Sequence, residues 1–248
     1  GAMKALVATK RVLITGAAGR VGTILRQQWG DRYQMRLADV KPIEKLATHE
    51  EFVELDITDL DAFTAACQGI DTVVHLAADP SPAAAFYETL LQRNIIGGYN
   101  GFEAARQSGC RRVVFASSIN AILGYGQTNT VGPWEAPIFP ANVYGATKCW
   151  GEALARAYDA QHGLSCLCVR LASPSFDQKT FDPDARAFGI SERDTGNVFA
   201  SCVDAEDDVG FAIVHGVSRH TDFWFQVSCS DPRVRFDPQD GTAYPRSE

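Results

Sequence analysis

Tyr144 and Lys148 stand four residues apart in a segment with helical spacing, so both side chains fall on one face of a helix. A free phenol titrates near about 10, too high for a good base at neutral pH, and a neighbouring ammonium favours the phenolate. The pair is a candidate for moving a proton to or from a hydroxyl. A Tyr-x-x-x-Lys spacing is common on helices, so its meaning depends on what surrounds it. A second group stands near the start, where Arg11-Val12-Leu13-Ile14-Thr15 runs into Gly16-x-x-Gly19-x-x-Gly22. Glycines at a strand-to-helix junction permit a tight turn and close approach to a pyrophosphate, which the helix N-terminus stabilises. Gly16, Gly19, Arg20, Val21 and Gly22 are the cofactor candidates of this loop. Asp39 follows Gly16 by 23 positions, at the end of the next strand-like run. A carboxylate there accepts hydrogen bonds from an adenosine ribose and repels a 2′-phosphate, favouring NAD over NADP. The competing reading is a surface Asp at a strand end, and Lys41 is near enough to soften the discrimination.

The elements that must hold these residues alternate along the chain. Strand-like runs cover Arg11 to Thr15, Gln34 to Ala38, Phe52 to Leu55, Thr72 to Leu76, Arg112 to Ala116 and Leu164 to Arg170. Helix-like segments run from the glycines to Trp29, from Asp59 to Cys67, from Phe86 to Gln107 and from Val143 to His162. Alternation of this kind predicts an α/β fold, a doubly wound parallel sheet (Rossmann-like) with both faces covered. Beyond Arg170 the rhythm changes to a loop over Ser173 to Gly189. A helix then opens at Ser191 as N-cap, with Asp194 at the capping-box position, and runs to about Asp204. Phe211 to Val214 and Phe223 to Val227 read as short strands, and the tail from Asp231 as irregular. We expect one domain, with a dinucleotide-binding core over about 10–170 and a small C-terminal substrate cap over about 171–230.

The 248 residues are 46% hydrophobic and 21% charged, which excludes disorder, collagen-like repeats and coiled coils. The net charge of -7 comes without any Lys/Arg run beyond two, so no nucleic-acid or anionic-membrane footprint is visible. No apolar run reaches the roughly 18 to 20 residues that span a bilayer. Gly1-Ala2-Met3-Lys4 reads as a cloning remnant before Met3, with no signal-peptide pattern after it. Cys67, Cys110, Cys149, Cys166, Cys168, Cys202 and Cys229 form no CxxC and no zinc-spaced cluster with His, so no metal site is expected. Reduced thiols in a cytoplasmic protein are the simplest reading.

Several ordered motifs give the chain a family resemblance. They are the GxxGxxG loop, Leu55-Asp56-Ile57, Val74-His75-Leu76-Ala77-Ala78, Asn94-Ile95-Ile96-Gly97, Val114-Phe115-Ala116-Ser117-Ser118 and Tyr144-Gly145-Ala146-Thr147-Lys148. Together they resemble the extended short-chain dehydrogenase/reductases, the NAD-dependent epimerase/dehydratase group. The resemblance implies that Asp56 and Ile57 lie at the adenine and that Leu76, Ala77 and Ala78 line the cofactor. It also points Asn94 toward the central cleft. Ser118 would bond the reacting oxygen and Tyr144 would take its proton while hydride leaves carbon for NAD. Within the group the chain looks most like uronate dehydrogenases and archaeal NAD-dependent glucose-6-phosphate dehydrogenases. Gly151-Glu152, Ala212 to Ser218 and Phe236 to Asp240 add to that likeness. Those enzymes oxidise C1 of an anionic hexose to a lactone.

The resemblance has departures on the substrate side. Those relatives carry Ser-Asn-His where this chain has Ser118-Ile119-Asn120, so a polar substrate contact is displaced, with Asn120 the candidate. Counting back from Ser191 to the relatives' anion-binding arginine lands on Asp184, and Arg186 serves only after a loop shift. The alternative is that Arg186 offsets Asp182 or Asp184 at the surface. Ser81 and Ser173 are hydroxyl contacts or plain turn serines. The expected activity is oxidation of a sugar or sugar acid at its anomeric carbon. An epimerase or dehydratase using NAD catalytically and a cofactor-binding regulator are the alternatives. Surplus apolar residues on the Phe86 to Gln107 and Val143 to His162 helices predict a homodimer or a larger homo-oligomer.

Overall fold

Strands form at β1 (Arg11–Thr15), β2 (Gln34–Asp39), β3 (Glu50–Glu54), β4 (Thr72–His75), β5 (Arg112–Ser118), β6 (Ser165–Leu171) and β7 (Phe211–Gly216). The computed structural model describes residues 9–128 and 134–247, so the Gly1-Ala2-Met3-Lys4 start lies outside the described residues. The strands pair in the order β3-β2-β1-β4-β5-β6-β7, all parallel. This is the expected Rossmann-like sheet. The order reverses between β1 and β4, and a crevice opens at the carboxyl ends of strands where it does so. Gly16 follows β1 and Leu76 follows β4, so the glycine turn and the Leu76-Ala77-Ala78 segment face each other across that crevice.

Apolar faces hold the helices on both sides. One side buries Leu25 and Trp29 of α1 (Arg20–Trp29) with Val198, Phe199 and Val203 of α6 (Glu192–Val203). The Trp29 indole donates to the Gly196 carbonyl at 2.9 Å, joining the two helices. The other side buries Phe63 of α2 (Leu60–Ala66), Phe102 of α3 (Gly97–Ser108), and Leu154, Ala155 and Tyr158 of α5 (Val143–His162). In α5 the Gly151 position lies against the Phe115 ring, where a Cβ would stand 2.1 Å from Cζ. That close approach sets the helix carrying Tyr144 directly on the strand carrying Ser118. A short α4 (Leu123–Gln127) follows a 3₁₀ turn at Ile119–Ile122.

Three expectations need correction. The Phe86 to Gln107 helix forms, but Phe86–Ile96 is wound as a wider π-helix before α3 begins. Phe223 to Val227 is not a strand. Phe223, Trp224 and Phe225 instead pack with Ile122, Ala172 and Val217 in a separate cluster, and Phe225 stacks on His215 at 4.3 Å. Side-chain packing rather than a backbone ladder holds this aromatic run. At α6 the Ser191 hydroxyl accepts the Asp194 N–H at 3.0 Å, but the reciprocal half of the capping box is absent. The Ser191 N–H goes to the Ser218 hydroxyl, which donates to Asp194. Asp194 also accepts the Gln239 and Asp240 amides, and so ties the tail to this helix.

Candidate active site

The cofactor crevice is built from the end of β1. Thr15 Oγ1 accepts the N–H groups of Leu76 and Ala77, each at 3.1 Å, which fills both of its lone pairs. Its proton must go to His75 Nδ1, 2.7 Å away, leaving His75 Nε2–H to donate to the Gly97 carbonyl at 2.9 Å. Burial pushes the His75 imidazole down to about 4, which keeps it neutral in this role. One small network thus fixes the glycine turn, the end of β4 and the start of α3. Gly16 has φ +66° and sits so close to Ala77 that a Cβ would lie 2.9 Å from its Cα. Gly19 caps α1, Arg20 and Val21 open it, and Gly22 is buried on its inner face.

Asp39 ends β2 beside this loop. One carboxylate oxygen accepts the Ala18 N–H at 2.9 Å and the other the Lys41 N–H at 3.0 Å. Each oxygen retains a lone pair for a ribose hydroxyl. A glycine turn at a helix N-terminus beside an anchored carboxylate fits a dinucleotide without a 2′-phosphate. Asp56 is exposed and accepts both the N–H and the hydroxyl of Thr58, which hold its carboxyl below the usual range. Ile57 is buried, and its carbonyl accepts the Asn100 amide at 2.8 Å. Arg20 donates across the crevice to the Pro174 carbonyl, joining the glycine loop to the segment after β6. Asn94 is buried, with its amide already engaged by the Asp79 backbone at 2.8 Å and by the Thr147 hydroxyl at 3.0 Å. It pins the segment after β4 to α5 instead of projecting freely into the cleft.

The proton-handling group lies at the carboxyl end of β5. Tyr144 and Lys148 occupy the buried face of α5, and Ser118 ends the strand beneath them. Lys148 Nζ donates to the Ala116 carbonyl at 3.0 Å and lies 5.6 Å from the centroid of the Tyr144 ring. Burial pushes this ammonium down to about 8. Burial raises the Tyr144 phenol above its usual range, with the Ser118 hydroxyl opposing and Asp79 adding to the rise. This corrects the expectation that the Lys148 ammonium draws the phenol down. The group opposing burial here is Ser118.

Asn120 bonds back to Ser118 at 2.9 Å through Nδ2. Ser81 and Ser173 are exposed in local turns, with Ser81 Oγ accepting the Ala83 N–H and Ser173 Oγ bonding Ser175 Oγ. Arg186 lies on an exposed stretch of the loop between β6 and α6. The structure therefore brings Ser118, Asn120, Tyr144 and Lys148 together, while Ser81, Ser173 and Arg186 stand on loops nearer solvent.

Sequence reasoning gave no role to a buried network behind this group. Glu152 accepts Ser117 Oγ at 2.6 Å and Arg170 at 3.0 and 2.8 Å, and Arg170 reaches toward His215 at 3.5 Å. Charged Arg170 within the apolar run of β6 is the signal that marked it.

Known proteins similar to the chain include NAD-dependent sugar dehydrogenases. The chain is 32% identical over 249 residues to the NAD-dependent glucose-6-phosphate dehydrogenase of Haloferax volcanii, covering 94% of each. It is 31% identical to that organism's L-arabinose 1-dehydrogenase (NAD(P)(+)), covering 94% of this chain and 98% of the relative. A tyrosine-to-alanine variant of uronate dehydrogenase from Agrobacterium tumefaciens, complexed with NAD, superposes with a TM-score of 0.83 at 34% identity. That superposition covers 95% of this chain and 87% of the other. Residues 12–182 match the NAD dependent epimerase/dehydratase family, and the chain belongs to that family.

Proposed function

We propose that the protein is an NAD-dependent sugar dehydrogenase that oxidises the anomeric carbon of a monosaccharide or its acid to a lactone. The observation that carries this reading is the convergence of Ser118, Tyr144 and Lys148 beside the crevice where the strand order reverses. NAD, when bound, supplies the hydride acceptor. Gly16, Gly19, Arg20, Val21, Gly22 and Asp39 hold it at the glycine loop, with Asp56, Ile57, Leu76, Ala77 and Ala78 along the opposite wall. Ser118 donates a hydrogen bond to the sugar C1 oxygen, and Tyr144 as phenolate removes that oxygen's proton. The C1 hydrogen departs as hydride, so one sugar yields one lactone, one NADH and one proton.

On the substrate side we read residues 171–230 as the cap, with Ser81 and Ser173 as hydroxyl contacts. Arg186 then pairs with a carboxylate or phosphate. Supplying glucuronate, glucose 6-phosphate and L-arabinose with NAD, and following NADH, tests the activity. An anionic substrate paired with Arg186 also requires Arg186→Ala to raise KM for that sugar roughly tenfold and to spare a neutral aldose. Equal small effects on all three would move the substrate toward neutral sugars.

We further propose a homodimer or a larger homo-oligomer. The outer face of α5 exposes Val143, Ala146, Trp150, Ala153 and Ala157, and Tyr87 of the neighbouring helix is 85% exposed. A second copy would cover this stripe, and sedimentation at micromolar concentration reads the result. Among the described residues no helix is long and apolar enough to cross a membrane. We place the enzyme in the cytoplasm, where its seven free thiols stay reduced.

A further inference from the structure

Four hydrogen bonds behind Ser118 all run in one direction. The Gly145 N–H, in the first turn of α5, donates to Asn142 Oδ1 at 2.7 Å. A backbone N–H can only donate, so this bond fixes which end of the Asn142 amide is oxygen. Its nitrogen then donates to Asn120 Oδ1 at 3.1 Å. That in turn leaves Asn120 Nδ2 facing Ser118 Oγ, at 2.9 Å. The Asn120 backbone N–H donates to the same oxygen at 3.0 Å. Ser118 has two lone pairs, and both are taken.

We propose that Asn142 and Asn120 are positioning residues whose relay from the α5 N-terminus makes the Ser118 hydroxyl an obligate donor toward the Tyr144 side of the cleft. The proposal rests on the reading of Ser118 and Tyr144 given above. With both acceptor positions filled, the Ser118 proton points away from Asn120, into the space where a reacting oxygen sits. A substrate hydroxyl bonded by Ser118 must therefore accept from it, which leaves its own proton for Tyr144. If the relay ran the other way, Ser118 would donate to Asn120 and offer the substrate only a lone pair. The amide two residues beyond Ser118 folds back to orient the serine.

Asn142→Asp separates direction from structure. Asp caps a helix about as well as Asn, so α5 is preserved. The new carboxylate presents an acceptor to Asn120 Oδ1. The Asn120 amide must turn over, and Ser118 then donates to it. Two readouts follow, each taken in the wild-type and the Ser118→Ala backgrounds. The first needs no substrate: the ultraviolet titration of Tyr144, read against a matching Tyr144→Phe protein. Tyr144 is faced by Asp79 from the segment after β4 and by Lys148 one turn along α5. A through-space effect of the added carboxylate therefore persists in the Ser118→Ala background, whereas a relay effect disappears.

We expect Asn142→Asp to move the Tyr144 midpoint upward in wild type by clearly more than in Ser118→Ala. The second readout is kcat with the best of glucuronate, glucose 6-phosphate and L-arabinose. It should fall roughly 10- to 100-fold in the wild-type background and little further in Ser118→Ala, with NAD affinity unchanged. Asn142→Ser keeps a neutral cap without imposing an acceptor and should lose much less. Equal Tyr144 shifts in the two backgrounds would overturn the relay, as would equal losses for Asn142→Asp and Asn142→Ser. Near-wild-type turnover in both Tyr144→Phe and Ser118→Ala would overturn the dehydrogenase reading itself.

Discussion

Replacing Glu152 by Gln keeps the volume of the side chain and removes its charge. In the structure Glu152 and Arg170 are nearly sealed from solvent, with side chains 6% and 2% exposed. The carboxylate accepts three hydrogen bonds, two from Arg170 and one from Ser117. An amide leaves one of those donors facing an N–H and leaves the Arg170 guanidinium buried without its counter-charge. Breaking one side of such a pair costs about 3–5 kcal/mol, a large part of the roughly 5–15 kcal/mol that holds a domain together. At this chain length the loss corresponds to a fall in Tm of roughly 10 °C. Urea unfolding of wild type and Glu152→Gln, with the slope checked for constancy, reads it directly. Because Ser117 precedes Ser118 and Glu152 lies one turn beyond Lys148, turnover should fall as well. Replacing both partners, Glu152→Met with Arg170→Met, should recover much of the stability, since no charge is then left unpaired. A loss below about 1 kcal/mol for Glu152→Gln would refute the reasoning that this pair braces α5 on β6.

Asp39→Ala should narrow an NAD preference over NADP of at least about tenfold (~1.4 kcal/mol), chiefly by weakening NAD. The variant also loses the Ala18 contact, and wild-type kcat/KM values favouring NADP would reject this role for Asp39. Lys148 titrates at about 8 in the fold against an ordinary 10.5. Between those values the unfolded chain holds a proton that the folded chain has shed, so stability rises with pH across that window. Below it the buried ammonium costs about 3 kcal/mol. Lys148→Met should therefore be the more stable protein near pH ~7, with most of the gap closed by pH ~10, and a gap independent of pH in urea titrations would contradict this.

The sheet was legible because its signals are local. Apolar runs, the glycines after Thr15 and the four-residue spacing of Tyr144 and Lys148 each declare themselves within one or two turns of chain. What escaped depends on partners far away in sequence. The neutral state of His75 follows from a Thr15 hydroxyl 60 positions earlier and from burial. Asn94 reads as a polar residue aimed at a cleft, yet its amide is already engaged by Asp79 and Thr147. Phe223 to Val227 has strand composition, but its aromatic rings find each other and His215 rather than a ladder. Asp194 stands where a capping box wants it, and the tail at Gln239 and Asp240 claims its oxygens first.

Proton transfer by Tyr144 while a sugar gives up hydride is decided by comparing wild type and Tyr144→Phe with NAD and each of glucuronate, glucose 6-phosphate and L-arabinose. NAD affinity is measured on the same two proteins. Wild type should give NADH and lactone in equal amounts from at least one sugar. Tyr144→Phe should turn over roughly 10²- to 10⁴-fold more slowly and bind NAD about as before. Near-normal turnover by Tyr144→Phe, or no NADH from any of the three sugars with wild type, would contradict that role for Tyr144.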